Sequence, residues 1–452
     1  MTWQSDSELM KSQLQQRAEA VFPGKKWTRG PLGEPWSLSD PRFPKFMTRG
    51  KGCRVVDDQH RTFIDYHCSF GATLLGYGEP RVEQAAWEAA QATGGPLLPG
   101  PTEYGVQLAE TLVNMRPGAT WAILAKNGTD VTTLARVAAR ACTGKQYILR
   151  EKGKGKYGVP AYHGASPQWL GGRPGILPDE SNQYELHYEY NNLQSVKEAI
   201  LSVHGNVAAI FVGACSYPYS SPTVEPTRAF VQGLRALADD CQCMLVLDEI
   251  RTNLRVTVNN DAAEALQHGS WHQTGGTLCK PPDMYCLCKA IGNGHPISAL
   301  LGTNGACRRG AEEMTATGTY WLGAPAMAAA LTTLAIVEQE NVMGKVLQMG
   351  NLLCTGLREL ASKHGLQITV SGPVSMPFLT FDHERPFKRP MSELFCAEMA
   401  GLGVWLHPHH NWYLMASHER ADIDETLKAA DVAFLKVKVA MRNGGGLRLS
   451  KL

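Results

Sequence analysis

No sign of charge dominates this chain. Across 452 residues, 44 lysines and arginines face 42 aspartates and glutamates, for a formal net charge of +2. With no basic stripe interleaved with aromatics, that balance excludes nucleic acid as an expected ligand. No apolar run reaches the roughly 18 residues needed to cross a bilayer. The opening MTWQSDSELMKSQLQQRAEAVFPG lacks the apolar core of a secretory signal. It predicts instead an amphipathic helix stopped at Pro23-Gly24, in a cytoplasmic protein. Internal repeats and low-complexity tracts are absent. Cysteine is plentiful, at twelve residues, but zinc-ribbon spacing is not: Cys241-x-Cys243 and Cys286-x-Cys288 are too tight for paired ligands. A chain this long needs no disulfide framework, so the cysteines are expected as buried free thiols in strands.

What is present points to an α/β protein. "GCRVVDDQHRTFIDYHCSFG" predicts two short strands around a turn at Asp57 to His60. From Glu79 onward, helical patterns alternate with short apolar runs such as "TWAILAK", "KQYILR", "NVAAIFVG" and "CMLVLDE". Apolar strands separated by helices predict a mostly parallel sheet covered on both faces. Near residue 330 the alternation stops, and long helices followed by short strands predict a smaller α+β domain. The expected divisions are an N-terminal segment over 1–78, a large domain over 79–330 and a C-terminal domain over 331–452.

In such a sheet, ligands bind at the carboxyl ends of the strands. Two strand ends stand out. "CMLVLDE" runs into Asp248, and "DMYCLCKAIGNGHP" delivers Lys289 just before the turn glycines Gly292 and Gly294. A buried lysine and aspartate facing one pocket are the pair that pyridoxal-phosphate chemistry requires. The lysine forms a Schiff base with the aldehyde and later moves a proton, while the aspartate pairs with the pyridine nitrogen. Asn127, Gly128 and Thr129 stand where a strand passes into a helix, a place suited to phosphate. Tyr162, in "YGVPAYHGASP", is placed to stack on an aromatic cofactor.

These motifs, in this order from about Phe22 to Phe434, resemble the class-III aminotransferases of the fold-type-I pyridoxal-phosphate enzymes, on the branch of glutamate-1-semialdehyde aminomutase. The resemblance implies a large domain with a seven-stranded, mostly parallel sheet between helices, plus a smaller α+β domain. It implies Lys289 as the Schiff-base lysine, Asp248 as the partner of the pyridine nitrogen and Tyr162 as the stacking ring. Asn127, Gly128 and Thr129 would hold the phosphate, joined by Thr319 of the partner subunit, which implies a homodimer with shared sites. Ser69, Phe70, His163, His409 and, more loosely, Arg29 fall on the substrate side.

The departures from the family pattern matter as much. Asn127 replaces the usual serine at the phosphate. Gly213 stands where a glutamate is usual. The run His407, His409, His410, Asn411, Trp412 replaces the aminomutase's acidic loop. Three histidines so close along one loop seldom converge on one ion, so no metal is expected. The expected activity is transfer of an amino group from an amino acid or related amine to a separate small carbonyl acceptor. Intramolecular aminomutation or amino-acid racemisation on the same scaffold is the alternative, and a non-catalytic homologue is the third possibility.

Overall fold

A computed structural model describes residues 13–22, 40–152, 183–218, 220–256, 279–303, 305–386 and 388–442. A helix spans Gln13–Val21, ending just before Pro23-Gly24. Three antiparallel strands follow, β1 (Met47–Lys51), β2 (Arg54–Asp57) and β3 (Thr62–Asp65). The β2–β3 turn closes because the Asp57 carboxylate accepts from the backbone N–H of Gln59 at 3.0 Å and of Arg61 at 2.8 Å, as aspartate does in tight turns. The sequence reading found β2 and β3 but not β1, whose Met-Thr-Arg-Gly-Lys has no buried residue.

The alternation after Glu79 follows in order. Helices Pro80–Ala92 and Glu103–Asn114 lead to β4 (Trp121–Ala125), helix Gly128–Thr143, β5 (Tyr147–Glu151) and β6 (Glu185–Tyr188). Helix Leu193–Ser202, β7 (Val207–Gly213), helix Arg228–Asp240, β8 (Met244–Asp248), β9 (Met284–Leu287) and β10 (Ser298–Gly302) complete the series. The sheet order is β4-β10-β9-β8-β7-β5-β6. Strands β5 to β9 pair in parallel, and only β10 runs against both its neighbours. Along β7, Ile210 and Val212 join one core with Leu149, Leu245 and Leu247. Ala209 and Phe211 join the other with Ile148, Val246 and Met284. Burial on both faces explains why these strands read as unbroken apolar runs rather than as an alternation.

The later part of the chain has helices Ala324–Gln339 and Val342–His364, then the hairpin of β11 (Ile368–Ser371) and β12 (Phe378–Phe381). Helix Pro390–Gly401, β13 (Val404–Trp405) and helix Arg420–Arg442 follow. β13 pairs in parallel with β3, so one small sheet joins residues more than 300 positions apart. Eight of the twelve cysteines are buried, whereas Cys142, Cys241, Cys279 and Cys288 are only partly so. They occupy helices and loops as well as strands, because a small sulfur side chain fills gaps wherever they occur. Among the described residues, no helix is long and apolar enough to cross a membrane.

Candidate active site

β8 and β9 are parallel neighbours, with Asp248 in register with Cys286, so their carboxyl ends open on one rim. Asp248 is buried at the end of β8, and its Oδ1 accepts from the Ile250 N–H at 3.0 Å. Lys289 follows β9 with a φ of 54°, a value uncommon for a residue bearing a side chain. Its Nζ donates to the Phe70 carbonyl at 2.8 Å. The stem keeps some surface, but the amine is enclosed, and burial, with the positive charge of Arg251 adding, pushes it down to about 7. The turn carrying Lys289 is fixed by Asn293. Its Oδ1 accepts from the N–H groups of Leu74 at 2.9 Å and Leu75 at 2.8 Å, and its Nδ2 donates to Gly76 O at 3.1 Å.

The start of the helix Gly128–Thr143 adjoins this pair. Asn127, exposed at the end of β4, begins the helix Gly128–Thr143. The Asp130 carboxylate accepts from Asn127 N at 2.8 Å, and Ser298 Oγ of β10 donates to Asn127 O at 2.9 Å. Both bonds hold the turn at the helix start, where the first backbone N–H groups lack partners within the helix. A Cβ on Gly128 would lie 2.8 Å from Ile250 Cδ1, so the helix start and the Asp248 strand approach as closely as glycine allows.

The wall opposite is built on strain. Cys68, Ser69, Phe70 and Gly71 all have φ between 49° and 81°, a left-handed turn that costs about 1–2 kcal/mol per non-glycine residue. Asp65 opposes that cost. Its carboxylate accepts from His67 N at 2.7 Å, Cys68 N at 3.0 Å and Tyr77 Oη at 2.7 Å. Arg255, fully buried, donates to Gly71 O at 3.2 Å, Thr73 O at 2.7 Å and Leu414 O at 2.6 Å. The turn therefore presents the Phe70 carbonyl to Lys289.

Three buried imidazoles lie behind Phe70. His67 stacks on Trp405 at 5.0 Å, and His407 and His410 each lie 6.4 Å from His67. Burial holds His67 down to about 3, with the charge of Lys289 adding, and drives His407 and His410 well below the ordinary histidine value. These rings are neutral, polarisable packing rather than surface groups.

The fold thus brings together Lys289, Asp248, Asn127, Gly128 and Phe70. Thr129 follows Gly128 with its side chain exposed. Ser69 is exposed, with its Oγ 3.2 Å from Tyr77 Oη. His409 lines a cleft and meets Ser220 Oγ at 3.0 Å and Glu393 Oε1 at 3.1 Å. Thr319 is exposed at the start of a short turn, beside Tyr320, whose ring lies 5.2 Å from Lys126 Nζ. Arg29, Tyr162 and His163 lie outside the described residues. Sequence reasoning missed Asn293, Arg251, Arg255 and His67. Asn293 carried a signal, an asparagine between two turn glycines. Arg251 and Arg255 carried a weaker one, two arginines four apart directly after Asp248.

A lysine with a depressed pKa, an aspartate on the next strand end and a glycine-tight helix start suit an aldehyde, a pyridine nitrogen and a phosphate. The fold is that of the type-I pyridoxal-phosphate transferases, and pyridoxal phosphate is the cofactor. The chain belongs to the class-III aminotransferases, whose family model matches residues 37–428. It is 36% identical over 424 residues to an aminopentol aminotransferase of Sphingopyxis macrogoltabida, spanning 94% of this chain and 93% of that one. It is 30% identical to a glutamate-1-semialdehyde 2,1-aminomutase of Desulfatibacillum aliphaticivorans, spanning 86% and 91%. Among solved structures it is similar to the internal aldimine form of the FumI protein of Sphingopyxis sp. MTA144. That match has a TM-score of 0.84 at 35% identity, over 95% of this chain and 96% of that one. The chain is accordingly a pyridoxal-phosphate-dependent aminotransferase.

Proposed function

We propose that Lys289 holds the cofactor covalently and that the enzyme passes an amino group from an amino acid or related amine to a separate carbonyl acceptor. The observation that carries this reading is the enclosed Lys289 amine, donated to Phe70 O at 2.8 Å and pushed down to about 7 beside the end of the Asp248 strand. Pyridoxal phosphate, when bound, supplies an aldehyde that captures amines and a ring that withdraws electrons. Asp248 presents its carboxylate to the ring nitrogen. Asn127, Gly128 and Thr129 receive the phosphate at the helix start, with Thr319 of the partner subunit added in a homodimer. Tyr162 covers the ring face.

Lys289 is the proton carrier. An amine with a pKa of about 7 is about half neutral at pH 7 and mostly neutral at pH 8, so it can remove the proton from the substrate carbon that bears nitrogen and hold it for return. Phe70 O holds the amine in place between those acts. Ser69, Phe70 and His409 line the substrate side, with Arg29 and His163. The likeness to an aminopentol aminotransferase supports a donor class that extends beyond α-amino acids. The buried thiols suit a reducing compartment such as the cytoplasm.

The test is direct. Borohydride treatment of the holoenzyme followed by peptide mass analysis fixes the attachment site, expected on Lys289; a cofactor found on another lysine overturns the assignment. A donor screen that includes an aminopentol, run with and without pyruvate, then reads the reaction type. Turnover that requires the oxo acid supports transamination. Isomerisation or racemisation of a single substrate without it replaces this reading with the aminomutase or racemase one.

A further inference from the structure

Sulfur gathers at the end of the sheet away from Lys289. The helix Gly305–Glu313, which follows β10, packs on the last turns of the helix Gly128–Thr143. The contact is close: a Cβ on Gly310 would lie 2.5 Å from Cys142 Sγ and 2.9 Å from Ala138 O. Cys307 stands one turn before Gly310 on the same helix, so it faces the same neighbour. The Cys142 and Cys307 thiols share a hydrogen bond, and Cys307 Sγ meets Met244 Sδ, at the start of β8, at 3.2 Å. Three sulfurs from three elements converge there. Cys307 forms the floor, fully buried, while Cys142 and Met244 are half-buried and open the group to solvent. The other close thiol pair, Cys241 and Cys243, is separate. Cys243 packs into the core on one face of the sheet and Met244 against the core on the other, because successive residues of an extended chain point to opposite faces. Spacing along the chain gives no hint of the group, since Cys142, Met244 and Cys307 are far apart in sequence.

Two thiols and a thioether are soft donors, and such a set selects a soft ion over the hard, oxygen-seeking ones. Asp283, whose charge is felt at both thiols, is engaged elsewhere: its Oδ2 accepts from Arg235 Nη1 at 2.8 Å and from the Leu245 N–H at 2.8 Å. Among the described residues, no three histidine, cysteine, aspartate or glutamate side chains form a group able to hold a metal, so the third bond here falls to the thioether. Zinc in structural sites takes four ligands drawn from thiolate, imidazole and carboxylate, and is poorly served by this set. Copper(I) is the ion that thiolate and thioether ligands together favour. We propose that Cys142, Cys307 and Met244 form a site for copper(I), bound by two thiolates and one thioether. The two thiol protons leave as the ion binds, and no electron is transferred. At about 2.3 Å per metal–sulfur bond, a trigonal arrangement sets the sulfurs about 4 Å apart. Met244, unbranched and half-buried, reaches that spacing by withdrawing less than about 1 Å. The ion ties the end of the helix Gly128–Thr143 to the start of β8, two elements whose other ends approach each other at the Asp248 rim. About 21 Å of helix separates Cys142 from Gly128, so the ion takes no part in the reaction.

The test uses the intact holoenzyme, fully reduced and kept anaerobic, with acetonitrile-stabilised copper(I) as the probe and bicinchoninate as a coloured competing chelator. The wild type is expected to withdraw one tightly held copper(I) per chain from the chelator and to gain an ultraviolet thiolate-to-copper band. Cys142→Ser, a change at a half-buried position, loses that equivalent, and so does Cys307→Ser. Met244→Leu keeps the shape but removes the thioether, and weakens binding by at least the roughly 10- to 100-fold that changes beyond the direct ligands cost. Cys241→Ser, in the separate thiol pair, retains the wild-type affinity. Cofactor absorbance and thermal melting are read on every variant, and unchanged values show that each is folded. Where Cys307→Ser melts early, Cys142→Ser decides. The proposal is overturned by a wild type that takes no copper(I) from the chelator, by Cys142→Ser binding as the wild type does, by loss in Cys241→Ser, or by equal competition from zinc(II). Unchanged affinity in Met244→Leu overturns it as well, because a plain dithiol has no need of the thioether.

Discussion

In the proposed reaction Lys289 is the residue on which the chemistry converges, and its acidity sets a pH profile. Burial, with Arg251 adding, brings its amine down to about 7. With the neutral amine as the proposed base, the single-turnover rate of the amine half-reaction rises as pH passes through about 7 and flattens above it. A rate that does not change from pH 6 to 8.5 contradicts this. Lys289→Ala removes both the attachment and the base, and activity falls by about a thousandfold or more. Asp248→Asn keeps the shape but loses the charge; we expect kcat to drop by about 10²–10³-fold, read in steady-state assays with the cofactor still bound. Both residues were legible because each ends an apolar strand, where a polar side chain is conspicuous. Arg251 and Arg255 were not, since arginines in an irregular segment have no period, and only the fold reveals that one faces a cleft and the other a cage of carbonyls.

Among the elements, the left-handed turn from Cys68 to Gly71 bears most directly on function. Gly71 has a φ of 81°, and a Cβ there would fall 2.6 Å from the Tyr413 ring. Gly71→Ala is expected to cost more than about 1 kcal/mol in denaturant unfolding and to lower kcat by shifting the Phe70 carbonyl away from Lys289. Tyr77→Phe removes one of the donors to the buried Asp65 carboxylate; a loss of about 1–3 kcal/mol follows, measurable in the same unfolding experiment. Neither the turn nor its histidine backing was visible in the sequence. The strain is a backbone property that Cys-Ser-Phe does not announce, and His67 meets His407 only after some 340 residues have folded. Helix and strand placement from Glu79 to Asp248 was legible because composition and period agree there. β10 was passed over: Ser-Ala-Leu-Leu-Gly is short and directly follows the lysine turn.

At the scale of the whole molecule, the proposed dimer makes each site depend on a neighbour. Thr319 is exposed in the single chain, and Tyr320 beside it is 66% exposed. Thr319→Ala should weaken cofactor retention several-fold in equilibrium dialysis while sedimentation still reports a dimer. A wild-type monomer that retains its cofactor fully would remove the shared-site idea.

The sheet order carries a consequence for the chain's own making. β4 lies at the edge, and in the sheet its hydrogen-bonded neighbour is β10 alone. The turn at Asn127 emerges from the ribosome early, yet the strand that anchors it is some 170 residues from being synthesised. A nascent polypeptide stalled between residues 289 and 298 would have Lys289 and the Asn127 turn but not the strand that anchors that turn. Cofactor loading is therefore expected only after β10 is made, about two-thirds of the way along the 452-residue chain.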